Sequence, residues 1–111
     1  MSRDELKHYR TELLNLAANL SEELANDRRE LRPDDGSNEP SDAGIQEVRV
    51  GLIATEEKLL DEVVAALDRI DTGEFSTCED CGRKIATARL DVLPYARTCV
   101  RCARAPKPVA G

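Results

Sequence analysis

The chain has no tryptophan, one phenylalanine and two tyrosines in 111 residues. Tyr9, Phe75 and Tyr95 are thin material for a globular core, while a charged fraction of 34% suits long solvated helices better than a dense interior. No long apolar run is present. The start, Met1 to Lys7, is charged with no apolar stretch behind it, so neither a signal peptide nor a membrane span is expected, and a cytoplasmic setting is. Internal repeats, a Gly-rich phosphate loop and a nucleophilic triad are all missing, and no enzymatic activity is expected. The single histidine, His8, sits among charged residues and reads as a surface group, not a ligand.

The net charge is −6 and unevenly placed. Residues 1–73 hold 18 acids and 9 Lys or Arg, for −9; residues 74–111 hold 4 acids and 7 Lys or Arg, for +3. A protein that lives on phosphate contacts is normally basic, so tight or sequence-specific binding to bare DNA is not expected. An acidic body with a mildly basic end suits a protein partner that is itself positive inside a cleft.

Cysteine is scarce but organised. Cys78 and Cys81 form one CxxC pair, Cys99 and Cys102 another, with seventeen residues between the pairs and no cysteine left over. That spacing is what a tetrahedral four-thiolate zinc site requires. One structural zinc is expected, and four thiolates leave no open position for catalysis. Two disulfides would fit a secreted chain, which nothing here directs; a redox pair would use one CxxC and leave the other idle. Oxidation of the thiols with zinc ejection is a further, weaker reading.

Two helical runs precede the cysteines. Ser2 and Glu5 have capping-box spacing, and Leu6, Tyr9, Leu13, Leu16 and Leu20 step by three and four, with Leu24 and Leu31 continuing the stripe. Arg32 before Pro33 ends the run. The segment from Pro33 to Asp42 is a turn by composition, with four acids and no base. The second run carries Ile45, Val48, Leu52, Leu59, Val63, Leu67 and Ile70, with Thr55 in a gap, and Gly73 is placed to stop it. Each arm is about 30 residues, hence roughly 45 Å. Neither can bury its stripe alone, so the sequence predicts a mainly α protein: a long antiparallel helical hairpin, or coiled coil, followed by a small four-cysteine zinc finger. The expected boundaries are hairpin 1–73 with an acidic tip at about 33–44, finger 74–104 and flexible tail 105–111. Pro106 and Pro108 bar a helix of any length in the tail.

The finger resembles that of the DksA/TraR family of bacterial transcription regulators. The resemblance rests on the CxxCG opening at Cys78 to Gly82, Ile85, Arg89 and Leu90, Pro94, the closing CxxC, and Gly73 to Phe75 ahead of it. It covers about residues 35–102; the first helix is similar only in character. The resemblance implies an RNA polymerase partner, with the hairpin entering the secondary channel and the finger docking at its rim. Glu39, Pro40, Ser41 and Asp42 are similar to the family's acidic tip, which makes Glu39 and Asp42 candidate partner-binding residues. Carboxylates there would meet a catalytic Mg²⁺ or basic loops, and they also suit a helix N-terminus. Some family members bind guanosine tetraphosphate through basic residues of the second helix and one after the last cysteine. Here that helix carries Glu56, Glu57, Asp61, Glu62 and Asp68, and Ala103 follows Cys102, so a direct alarmone response is not expected.

The expected function is therefore that of a zinc-binding, monomeric hairpin protein that binds RNA polymerase and modulates transcription initiation. The alternative is a zinc-finger and coiled-coil adaptor that acts on another protein, with the seam free to dimerise. A third reading uses Arg83, Lys84, Arg89, Arg97, Arg101 and Arg104 on nucleic acid, but no aromatics interleave for stacking.

Overall fold

The computed structural model describes the backbone of residues 1–31 and 40–105, and the side chains of 1–31 and 44–105. Four helices follow in order: α1 (Arg3–Glu30), α2 (Pro40–Thr72), α3 (Thr87–Val92) and α4 (Val100–Arg104). Among the described residues the only strand-like pairing is an isolated antiparallel bridge between Thr77 and Lys84. The expected tail beyond Ala105 lies outside the described residues.

The ends of the long helices are chemically defined. Ser2 is extended, and its hydroxyl oxygen accepts the Glu5 N–H at 3.2 Å. Glu5 returns the favour differently from a full capping box: its carboxylate accepts the Ser2 hydroxyl at 3.1 Å. Asp4 and Glu5 in the first turn and Arg28 and Arg29 in the last both complement the helix dipole. Pro40 is the first residue of α2, where its missing N–H costs nothing, so the helix starts inside the stretch read as a turn. At the other end Gly73 has φ +82°, donating to Ile70 O at 3.3 Å while Glu74 donates to Arg69 O at 2.9 Å. That pair of bonds is a Schellman stop, and only glycine takes its backbone angle without strain.

α1 and α2 pack along their length as an antiparallel pair. Tyr9, Leu13, Leu20 and Leu24 are buried on α1, as its stripe predicts, and Val63, Ala66 and Ile70 are buried on α2. The outer half of α2 departs from expectation. Ile45, Val48 and Leu52 are 54, 66 and 49% exposed, so they are not the seam. Val63 and Ile70 are seven apart; carried back in sevens, that register reaches Glu56 and Arg49. Ile45, Leu52 and Leu59 keep the same step of seven, but each stands one position before a contact residue, so that stripe flanks the seam instead of forming it. Gln46, Arg49, Ile53, Glu56, Leu59 and Leu60 are half-buried there.

The finger folds onto the base of the hairpin. Phe75, Cys78, Ile85, Leu90 and Ala96 join Tyr9, Leu13, Val63, Ala66 and Ile70 in one buried cluster. The rings of Tyr9 and Phe75 lie 5.3 Å apart, tilted by 51°. Replacing Leu13, fully buried in this cluster, by Ala is expected to cost about 2–5 kcal/mol in a denaturant titration. Leu52→Ala is expected to stay within about 0.5 kcal/mol, the range of surface changes; a large loss there would restore Leu52 to the seam.

Candidate metal centre

The first cysteine pair is built by a tight turn. Cys78 N–H donates to Arg83 O at 2.8 Å and Gly82 N–H to Cys78 O at 2.9 Å. Gly82 has φ +75°, which explains the glycine after the second cysteine. The second pair is built by a helix start: Cys99 is the N-cap of α4 and Cys102 lies one turn into it. α3 lies between the pairs, anchored by fully buried Leu90. The two halves are tied directly, Glu79 N–H donating to Arg97 O at 2.9 Å.

These elements bring all four sulfurs within 4.8 Å of one another. The Sγ atoms of Cys81 and Cys99 are 3.8 Å apart, and all four cysteines are free. A disulfide needs about 2.05 Å. A tetrahedron with metal–sulfur bonds of about 2.3 Å places its sulfurs roughly 3.8 Å apart, so the donor set fits zinc. Cys78 is buried and Cys81 exposed, with the other two between.

Backbone donors prepare the sulfurs for charge. Burial pushes the Cys78 thiol up, but the amides of Cys99, Cys81 and Asp80 outweigh it and bring it down to about 6. Cys99 is also lowered, chiefly by the Cys102 amide. Cys102 goes the other way, to about 12, because it shares hydrogen bonds with Cys99 and Cys78. Four thiols this close cannot all ionise by themselves; a divalent cation makes that possible and releases the protons.

The finger is clamped to the hairpin by polar contacts that the sequence did not reveal. Tyr9 OH donates to Asp91 Oδ1 at 2.5 Å, and burial followed by that bond raises the phenol to about 12, keeping it a donor. Arg97 Nε donates to Glu62 Oε2 at 2.6 Å and its Nη1 to Glu79 Oε1 at 3.3 Å. Arg69 Nη2 reaches the carbonyls of Tyr95 and Ala96 at 3.4 and 3.3 Å. No periodic signal marks such residues. Arg89 is also used internally, donating to Thr98 O at 2.8 Å. Of the six finger bases, Arg89 and Arg97 are engaged within the protein, and Arg83, Lys84, Arg101 and Arg104 are exposed. At the opposite end, Asp42 lies in the first turn of α2, with its side chain outside the described residues, and Glu39 lies outside them altogether.

Comparison with known proteins bears on both parts. The family model of the prokaryotic dksA/traR C4-type zinc finger matches residues 73–106. An uncharacterized protein of Aquifex aeolicus is 30% identical over 93% of this chain and 77% of its own length. The RNA polymerase-binding transcription factor DksA of Haemophilus influenzae is 29% identical over 92% of this chain and 74% of its own. Among solved structures, transcription factor DksA2 from Pseudomonas aeruginosa superposes with a TM-score of 0.84 at 27% identity, covering 93% of this chain and 83% of that one. No described helix is long and apolar enough to cross a membrane.

Cys99→Ser is expected to abolish zinc retention, read by atomic emission of the purified protein. It should also lower the thermal midpoint, because about 10–16 kcal/mol of apparent zinc binding acts as folding energy in small fingers. Full zinc content in that variant would remove Cys99 from the donor set.

Proposed function

This chain belongs to the DksA/TraR zinc-finger family, and on that premise we propose that it is a cytoplasmic regulator that binds RNA polymerase directly and modulates transcription initiation. The hairpin enters the secondary channel, and the finger holds the hairpin base at the channel rim. Cys78, Cys81, Cys99 and Cys102 hold one structural zinc. Glu39 and Asp42 present negative charge at the tip, where Mg²⁺ or basic side chains would receive it. The protein acts as a monomer by occupying space and presenting charge, without catalysis and without reading a DNA sequence.

The observation that carries this reading is that the likeness to DksA2 spans rod and finger together, 93% of the chain, and not the zinc motif alone. Helices of 28 and 33 residues are roughly 42 and 50 Å long. A two-helix rod is narrow enough for a pore that would stop a globular domain. The clamp at Tyr9, Arg69 and Arg97 supports the same reading, since a probe is useful only if its handle is rigid. The adaptor alternative has one observation in its favour: exposed Ile45, Val48 and Leu52 give α2 an apolar outer surface.

Core RNA polymerase titrated with labelled protein separates the two readings, because an adaptor for another target does not bind it. Asp42→Asn is expected to keep the Kd within about threefold, under 1 kcal/mol, while losing the effect on promoter-complex lifetime. Full activity of that variant would reject the tip mechanism.

A further inference from the structure

The chain that leads into Cys99 is irregular from Tyr95 to Thr98, yet all four carbonyls of that segment accept a hydrogen bond. Irregular backbone has no helix or ladder partner of its own, so those bonds come from elsewhere in the fold. Arg69 of α2 gives its Nη2 to Tyr95 O and Ala96 O at 3.4 and 3.3 Å. The Glu79 N–H, inside the first cysteine pair, gives to Arg97 O at 2.9 Å. Arg89 Nε of α3 gives to Thr98 O at 2.8 Å. The hairpin thus supplies the contacts to the first two carbonyls, and the finger supplies the rest.

The same segment is held through its charged side chain. Arg97 Nε donates to Glu62 Oε2 of α2 at 2.6 Å, and its Nη1 to Glu79 Oε1 at 3.3 Å. Arg69 Nη1 stands 4.0 Å from that same Glu79 oxygen. Glu62, Arg97, Glu79 and Arg69 therefore alternate in sign across the junction. Glu79 follows Cys78 directly, and Arg97 stands two residues before Cys99. The Arg69 side chain is 11% exposed, and its Nε has no hydrogen-bond partner among the described residues. A buried, incompletely paired cation is a weak source of stability; what its planar fork supplies is fixed geometry.

We propose that Arg69 and Glu62 are positioning residues for the metal site: from the hairpin, they fix where the second cysteine pair stands relative to the first. Arg69 acts through the Tyr95 and Ala96 carbonyls, and Glu62 acts through Arg97. Four sulfurs bind one metal well only when their placement is set beforehand, so groups that orient the ligands contribute to affinity. The finger's metal site is thus completed by α2. Linkage makes the effect reciprocal, so bound metal tightens the finger on the hairpin by the same factor. The inference rests on the reading that the four cysteines hold zinc, and stands whether or not polymerase is the partner.

Titration of the zinc-loaded full chain with a chromophoric chelator tests this. Arg69→Met keeps the aliphatic stem and removes the fork; it is expected to weaken zinc binding by about tenfold, the lower end for groups that orient metal ligands. Glu62→Gln is expected to weaken it less, and to have no further effect once Arg97→Met is present. Leu24 is buried in the hairpin outside the junction cluster. Leu24→Ala is expected to lower the thermal midpoint yet leave zinc affinity within about twofold. Cobalt(II) in place of zinc reads the donor geometry directly: its visible absorption should change in Arg69→Met and not in Leu24→Ala. Should Arg69→Met fail to fold, the Glu62 and Arg97 cycle decides. A wild-type chain that takes up no metal overturns the zinc reading itself. Three results would overturn the positioning role alone: wild-type affinity with an unchanged cobalt spectrum in Arg69→Met, equal losses in Arg69→Met and Leu24→Ala, or a Glu62→Gln effect that persists without Arg97.

Discussion

A single apolar junction, where the base of the hairpin meets the finger, holds the described structure together. Tyr9 and Leu13 from α1, Val63, Ala66 and Ile70 from α2, and Phe75, Ile85, Leu90 and Ala96 from the finger share one cluster. The chain has three aromatic residues; Tyr9 and Phe75 are buried in this cluster, and Tyr95 packs against its edge. Scarce large side chains are spent where three segments converge. Cys78 is part of the same cluster, so zinc affinity and hairpin packing are coupled through shared side chains.

The polar clamp around that junction does a different task. Apolar packing is non-directional and tolerates rotation of the finger. Tyr9 to Asp91, Arg97 to Glu62 and Glu79, and Arg69 to the carbonyls of Tyr95 and Ala96 have fixed geometry. Together they set the angle between finger and rod. Part of the second helix's acidity is balanced by ion pairs, Glu62 by Arg97, Glu57 by Arg28 and Asp71 by Arg10. The rod thus has an apolar base clamped to the finger and an outer half whose seam is polar.

Much of this was legible in advance. Tyr9, Leu13, Leu20 and Leu24 of the α1 stripe are buried as read, with Leu16 half-buried, because one apolar face on a helix has one use. Ser2 and Gly73 mark helix ends, since capping is local chemistry. The four cysteines meet because paired CxxC turns have few other ways to be satisfied. The second stripe misled above Leu59. Ile45, Val48 and Leu52 look like a seam, but each stands one position before the residue that the packed base carries into contact, so they flank it.

The sequence by itself determined the elements: two long helices, their caps, and a knot of four thiols with zinc spacing. These follow from interactions within a few residues, or from a count that closes on itself. Only the tertiary structure decided which face of the outer α2 turns inward, how Arg69 and Arg97 lock the finger, and that Arg28 meets Glu57 between the helices. Each of those depends on pairing between segments far apart in the chain. Periodicity states that a helix has a face to bury, but it carries no information about the register in which another helix will meet it.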